Sequence, residues 1–467
     1  MLDVTFIPHR SALRSGTDEP QKLFAMLKLI PRGETAGARP PLAVALLIDT
    51  SGSMRDFADQ EQAIAQIERL GLHGPVRDSD GRAEMSVDLG LPTKLDRAIE
   101  AAHALANDER LAPDDRLAIV HFNEKAQTLL PLTAVSERSL IHEAIERLRG
   151  GAAGTYMGRG LGLVREELRG ISPHVAKRAL LLTDGQTSDE DQCRRVSDEL
   201  AGENTPIVAI GLGEEYNETL IRDMADATQG RPYHLRDIRD FPAYLEAEIG
   251  SVVREVVTDL QATVALADGV SLESVTRVYP SLAEATPDGS AVRLGNVAAG
   301  DHTVFVLEFT VSDVSRSVGS TRVATLSMVA DVPGLGEHRI LTPLDLAIEF
   351  TTDESAIVEV DAEVLGYVQQ KNVDRMMREA VDLSSVDAGR ARQTLQMAAG
   401  LTRRLGNTSV TMMIETALDE LDSSGSISPG TRRTVALGGR TQSVRVNDTR
   451  KLHNTLSEAE IRRVSGA

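Results

Sequence analysis

The spacing of apolar residues changes three times along the chain. "LDVTFIP" (2–8) and "QKLFAMLKLI" (21–30) are short apolar runs separated by a Gly-containing polar loop, a pattern that predicts strands with no helix between them. "PRGETAGARPP" then reads as a linker. From 41 to about 250, wholly apolar runs alternate with amphipathic stretches of helical period. The runs 42–48, 115–122, 126–133, 177–183, 205–211 and 231–235 predict strands, and 93–107, 136–149, 158–170, 188–202, 217–229 and 239–256 predict helices. Strands separated by helices need crossover connections. A doubly wound, mainly parallel α/β sheet of Rossmann-like kind is therefore expected.

From 257 to 352 a period of two returns, as in "HTVFVLEFTVS" (302–312) and "TRVATLSMVADV" (321–332), which predicts an antiparallel β-sandwich. Two N-terminal strands cannot bury a face alone, so residues 1–40 are expected to complete that sandwich, leaving the α/β unit of 41–256 inserted beside it. Residues 353–425 turn helical. "DAGRARQTLQMAAGLTRRLG" aligns Ala391, Leu395, Ala398, Thr402 and Leu405 on one stripe and stops at Gly406, predicting a small hairpin or three-helix unit. Residues 426–467 form a tail whose basic, Thr-rich stretch 431–451 either docks on the body or stays free.

Composition narrows the function classes. A formal charge of -20 argues against non-specific binding to nucleic acid or an anionic membrane, since both need a basic footprint. With 3% aromatics and no Trp, the cores must be built from Val, Leu, Ile and Ala. The N-terminus lacks the basic head and apolar core of a signal peptide, and no apolar run approaches the roughly 20 residues that span a bilayer. A cytoplasmic protein is expected. The lone Cys193 forms neither an internal disulfide nor a metal-site pattern and reads as structurally incidental.

The chemistry concentrates at "LAVALLIDTSGSM" (42–54). A central parallel strand, covered on both faces, is wholly apolar, and ligand crevices form beyond the carboxyl ends of such strands. Asp49 stands at that edge, followed by Ser51 and Ser53 around Gly52, whose freedom lets both hydroxyls converge with the carboxylate. Two more segments look like the same crevice seen from other strands: "GGAAGTYMG" (150–158) delivers Thr155, and "ALLLTDG" (179–185) ends its strand at Asp184. Hard oxygen donors of this kind suit Mg²⁺ or Mn²⁺, with Ca²⁺ as a third candidate, far better than Zn²⁺. Ser188 with Asp191 reads as a helix capping box, and His121 as a hydrogen-bonded core histidine.

In these residues the chain resembles the von Willebrand factor type A family, whose metal-ion-dependent adhesion site has the form Asp-x-Ser-x-Ser, a distant Thr and a distant Asp. "DTSGS", "GT" and "TDG" occur here in that order. The order of strands, type A unit, sandwich and helices is similar to intracellular bacterial members and, more loosely, to inter-α-trypsin inhibitor heavy chains. The resemblance implies that Ser51 and Ser53 bind the metal directly and Thr155 directly or through water. Asp49 and Asp184 would act mainly through water and hydrogen bonds. It also implies that Gly52, Met54, Tyr156 and Gly185 border the partner. A departure follows Met54: about 38 residues precede the expected first helix at Lys94. This insertion (56–92) contains an amphipathic stretch through Ala63, Ile64, Ile67 and Leu70, then a turn or hairpin, "VRDSDGRAEMSVDLG". It is a solvated loop enlarging the partner surface, or a lid whose Asp56, Asp78, Asp80 or Glu84 fills the metal's open position.

The resemblance therefore implies a cytosolic, metal-dependent protein-interaction module that recognises an acidic residue of a protein partner. Intracellular bacterial relatives often work with AAA+ ATPases of the MoxR class or in stress, signalling or defence systems. No GxxxxGK[ST] loop occurs, so ATPase activity would have to come from another chain. A phosphohydrolase is the enzymatic alternative, but Ser51 occupies the position where its acid/base Asp should stand. Nor does a GxSxG elbow support a serine hydrolase. The expectation is a non-enzyme, and a self-assembling structural protein is a further alternative.

Overall fold

The computed structural model describes residues 2–17, 19–33, 39–70, 89–150, 154–312 and 318–446. The chain opens with β1 (Leu2–Pro8), β2 (Ala12–Arg14) and β3 (Gln21–Pro31). The α/β unit follows as β4 (Leu42–Asp49), α1 (Gln60–Arg69), α2 (Lys94–Ala106), β5 (Arg116–Phe122), β6 (Ala126–Ala134), α3 (Arg138–Glu146) and α4 (Met157–Leu168). It continues through β7 (Ala176–Thr183), α5 (Glu190–Gly202), β8 (Ile207–Leu212), α6 (Glu218–Ala227), β9 (Arg231–Leu235) and α7 (Phe241–Val252).

These strands lie in the order β6-β5-β4-β7-β8-β9, parallel throughout except for β6 against β5. Side chains alternate along β4, and both faces are covered. Leu42, Val44, Leu46 and Ile48 pack with α2, α3 and α7, whereas Ala43, Ala45 and Leu47 pack with α4, α5 and α6. This double coverage is why the run contains no polar residue before Asp49. Gly160 lets α4 approach the sheet, for a Cβ there would stand 2.8 Å from Leu47 Cδ1 and 3.2 Å from Phe122 Cβ.

The second β region comprises β10 (Glu255–Leu266), β11 (Val270–Tyr279), β12 (Ala283–Ala285), β13 (Ala291–Ala298), β14 (Thr303–Val311), β15 (Gly319–Val332), β16 (Glu337–Ile340) and β17 (Leu344–Thr351). One sheet runs β1-β3-β14-β11-β12. The other runs β13-β10-β15-β17-β2, with β16 paired to β15. The N-terminal strands thus enter both sheets: Leu23, Ala25, Leu27 and Leu29 of β3 share a core with Val257 and Leu260 of β10 and Leu326 and Met328 of β15.

Helices α8 (Glu354–Val358), α9 (Ala362–Leu383), α10 (Ala388–Leu405), α11 (Thr408–Ser424) and α12 (Pro429–Thr441) end the described chain. In α10, Ala391, Leu395, Ala398 and Thr402 are buried, and Gly406 closes the helix at φ 73°. The outer face of β3 and β14, through Phe24, Met26, Val304 and Val306, packs on Val364, Tyr367 and Val368 of α9. The expectation of a basic tail from 426 needs correction, because 429–441 is a capped helix. Ser428 Oγ accepts from Thr431 N–H, Pro429 starts the helix, and Leu437 joins the core of the α/β unit. Its Arg440, 1% exposed, donates to Asp226 Oδ2 at 2.6 Å, so a positive residue here is an internal ion-pair partner and not a mark of a solvated tail. Residues 447–467 lie outside the described chain.

A candidate metal crevice at the carboxyl edge of the parallel sheet

Asp49 ends β4 fully buried, and its carboxylate organises the turn that follows. Oδ1 accepts the Ser51 N–H at 2.9 Å, and Oδ2 accepts the Thr183 hydroxyl at 2.7 Å from the end of the neighbouring β7. Burial pushes this carboxyl up to about 6, against the Ser51 and Thr183 hydrogen bonds that favour the ionised form. A single 3₁₀ turn, Gly52–Arg55, then brings the Ser51 and Ser53 hydroxyls to 3.2 Å from each other. Ser53 Oγ donates to Asp184 Oδ1 at 2.6 Å, closing a connected group of Asp49, Ser51, Ser53, Thr183 and Asp184 across two strand ends.

Thr155 enters through its backbone. Its carbonyl accepts Ser188 N–H at 3.0 Å and the Thr187 hydroxyl at 3.3 Å, tying its half-buried loop to the one after β7. Tyr156 N–H donates to Asn123 O at 2.9 Å, and Asn123 Nδ2 to Thr50 Oγ1 at 3.0 Å. His121 Nδ1 lies 2.9 Å from the same Thr50 hydroxyl, so the histidine is a hydrogen-bonded member of the wall. Three loops are thereby held in one register by buried hydrogen bonds.

Some expectations change. Met54 is fully buried among the α2-side core residues, because the turn directs its side chain inward, so it does not face a partner. Gly52 is exposed, Gly185 and Tyr156 are half-buried, and the Arg159 guanidinium lies 4.0 Å from the Tyr156 ring centre. Helix α5 is preceded by Asp189, and the Ser188–Asp191 capping box is not formed. Asp189 instead caps α4 from across the crevice, accepting Gly158 N–H on Oδ1 and Arg159 N–H on Oδ2, both at 3.0 Å. Of the insertion, α1 buries Ala63 but leaves Ile64 and Leu70 exposed. Asp56 is described and exposed, whereas Asp78, Asp80 and Glu84 lie outside the described residues.

Lys94 escaped the sequence reading. Its Nζ is 2.8 Å from Asp184 Oδ2 and 3.5 Å from Asp56 Oδ2. The available signal was its position: a cation in the first turn of a helix opposes the helix dipole, so it needs carboxylates elsewhere.

The donor set fits a hard divalent cation. Every candidate ligand atom is oxygen, and two hydroxyls 3.2 Å apart match the roughly 3 Å edge of an octahedron built on metal–oxygen bonds of about 2.1 Å.

Residues 92–247 match the family model described as von Willebrand factor type A domain. The chain carries a von Willebrand factor type A domain. The match starts behind the insertion, although β4 and the Asp49 turn occupy the middle of the type A sheet. A structure described as von Willebrand factor type A from Catenulispora acidiphila superposes with a TM-score of 0.73 at 19% identity, over 95% of this chain and 97% of that one. The ArnB paralog VWA2 from Sulfolobus acidocaldarius gives 0.59 at 14% identity, over 95% and 99%. An uncharacterized protein of Synechocystis sp. is 23% identical over 354 residues, covering 72% of this chain and 82% of its own. The shared fold thus extends past the type A domain into the sandwich and helices.

Proposed function

We propose that this protein is a divalent-metal-dependent protein-binding module whose type A crevice captures an Asp or Glu of a partner protein. Ser51, Ser53 and Thr155 would hold the cation, with Asp49 and Asp184 acting on them through hydrogen bonds and water. The observation that carries this reading is the convergence of the Ser51 and Ser53 hydroxyls beside Asp184, all on a crevice built of oxygen donors. Bound Mg²⁺, Mn²⁺ or Ca²⁺ would supply an electrophilic centre with few direct anionic ligands, which a partner carboxylate completes. The chain's own part is to orient: Asp49 fixes the Ser51 turn, and Asp189 with Thr187 fixes the start of α4 beside Thr155.

An adhesive role suits these groups better than phosphoryl chemistry. Both oxygens of Asp49 already accept hydrogen bonds, and Ser51 is no proton shuttle near neutral pH. The proposal includes a cytosolic setting and an AAA+ ATPase of MoxR type among the partner classes. The insertion would enlarge the partner-facing rim. Asp56, 3.5 Å from the lysine that binds Asp184, is the described residue best placed to act as a lid carboxylate.

The test is an affinity pull-down from native lysate in Mg²⁺ or EDTA with wild type and a folded Asp49→Ala variant. A partner held only by wild type in Mg²⁺ supports the reading. Capture that ignores both changes overturns it and moves attention to the sandwich and helices.

A further inference from the structure

A cavity of about 360 Å³ lies at the opposite, amino edge of the type A sheet, where the sheet meets the sandwich and the end of α12. Arg178 near the start of β7 and Arg231 at the start of β9 form one wall, Arg277 of β11 another, and the exposed Arg254 stands between α7 and β10. These four cations face three carboxylates, Glu248, Glu255 and Asp301, which leaves one positive charge in excess inside a chain of net charge -20.

The carboxylates are already engaged. Glu255 pairs with Arg178 and accepts Asn296 Nδ2 at 2.7 Å. Glu248 takes Arg231 at 2.8 Å and the Tyr233 hydroxyl at 2.5 Å. Asp301 accepts the Tyr279 hydroxyl at 2.6 Å and pairs with Arg445.

Arg277, 6% exposed, has only neutral acceptors: the carbonyls of Ser281, Gln229 and Gly230 and the Ser281 hydroxyl, at 3.1 to 3.2 Å. Burial, with Arg231 and Arg178 nearby, pushes its guanidinium down to about 9, against the pull of Glu255 and Asp226, neither of which hydrogen-bonds it. Arg178 is also 6% exposed, and its Nε–H is buried with no acceptor. Buried N–H groups are seldom left unpaired. Surplus charge, an orphan donor and empty space therefore coincide, and an oxyanion answers all three, because guanidinium forks match phosphate and carboxylate oxygens. The volume lies at the small end of ligand pockets and exceeds that of an inorganic anion.

We propose that this cavity binds a small oxyanion-bearing metabolite, a phosphate ester or a dicarboxylate, on Arg178, Arg254 and Arg277, and that the ligand clamps the type A domain to the sandwich. The proposal is independent of the metal crevice.

The test is thermal unfolding and calorimetric titration of the full chain in EDTA, with inorganic phosphate or succinate at an ionic strength held constant with chloride. The expected result is saturable stabilisation by at least one of the two anions. A response to phosphate alone identifies a phosphorylated ligand, and one to succinate alone a dicarboxylate. Arg254→Glu, at an exposed position, should unfold normally without anion yet lose at least tenfold in anion affinity, while Ser53→Ala keeps the full response. The proposal is overturned if neither anion exceeds chloride, or if Arg254→Glu responds like wild type.

Discussion

The two edges of the type A sheet are chemical opposites. Strand β7 alone shows this: Thr183 and Asp184 at its carboxyl end join the oxygen-lined crevice, and Arg178, roughly 17 Å back along the strand, enters the guanidinium-lined cavity. A parallel sheet segregates its loops, since all carboxyl ends lie at one edge and all amino ends at the other. At the carboxyl edge the loops build a crevice that keeps Gly52 exposed. At the amino edge they dock on β10, β11 and α12, so most charge there is buried and paired internally. The lesson is that one sheet can carry an oxygen-lined crevice at one edge and an internal electrostatic joint at the other, because strand length separates them.

The largest effect expected on this comparison is at the buried joint. Arg178→Met strands Glu255, 8% exposed in its side chain, and should cost about 3–5 kcal/mol, measured by urea unfolding. Replacing both partners by apolar residues should recover most of that loss, whereas equal loss in the double variant would show that the charge balance is not what holds this edge. At the other edge, Asp49→Asn should weaken Mg²⁺ binding about 10- to 100-fold by calorimetry, because it alters the group that orients Ser51. The anion response at the amino edge should not change, and a joint loss of both would break the claim of separation.

A smaller effect tests the scaffold between the edges. Gly160→Ala drives a Cβ against Leu47 and Phe122 and should cost about 1–3 kcal/mol in thermal unfolding. Gly162→Ala, two residues along the same helix and with no neighbour within 4 Å, should instead stabilise by about 0.5–1 kcal/mol. The smallest change is expected from Lys94→Met. Losing the ammonium beside Asp184 should tighten Mg²⁺ affinity by about threefold, and unaltered affinity would show that the cation and Lys94 do not compete.

Much of this was legible in the chain for reasons of period and local chemistry. An apolar run ending at an acid marks a covered parallel strand, hence β4 and β7, and the small-residue stripe of α10 ends at a glycine that does adopt the left-handed conformation. Asp49, Ser51 and Ser53 are sequence neighbours, so one turn suffices to bring them together. Met54 was misread because the same turn sends alternate side chains in opposite directions, and nothing local says which one meets the core. Helix α12 was missed because its positive charge left docking and a free tail equally open, and the partner that decides it, Asp226, is 214 residues from Arg440 in sequence.

The sequence by itself determined the type of the strands and helices of the α/β unit, the order in which strands, α/β unit, sandwich and helices follow, and the oxygen chemistry of the crevice, because period, capping and hydroxyl-rich turns act over a few residues. Only the tertiary structure decided that Lys94 faces Asp184, that Asp189 caps a helix it does not belong to, and that Arg178, Arg231 and Arg277 converge on one cavity. Those contacts depend on where parallel strand ends and separate sheets come to lie. Electrostatic pairing of that kind follows distance in space, which a linear pattern does not encode.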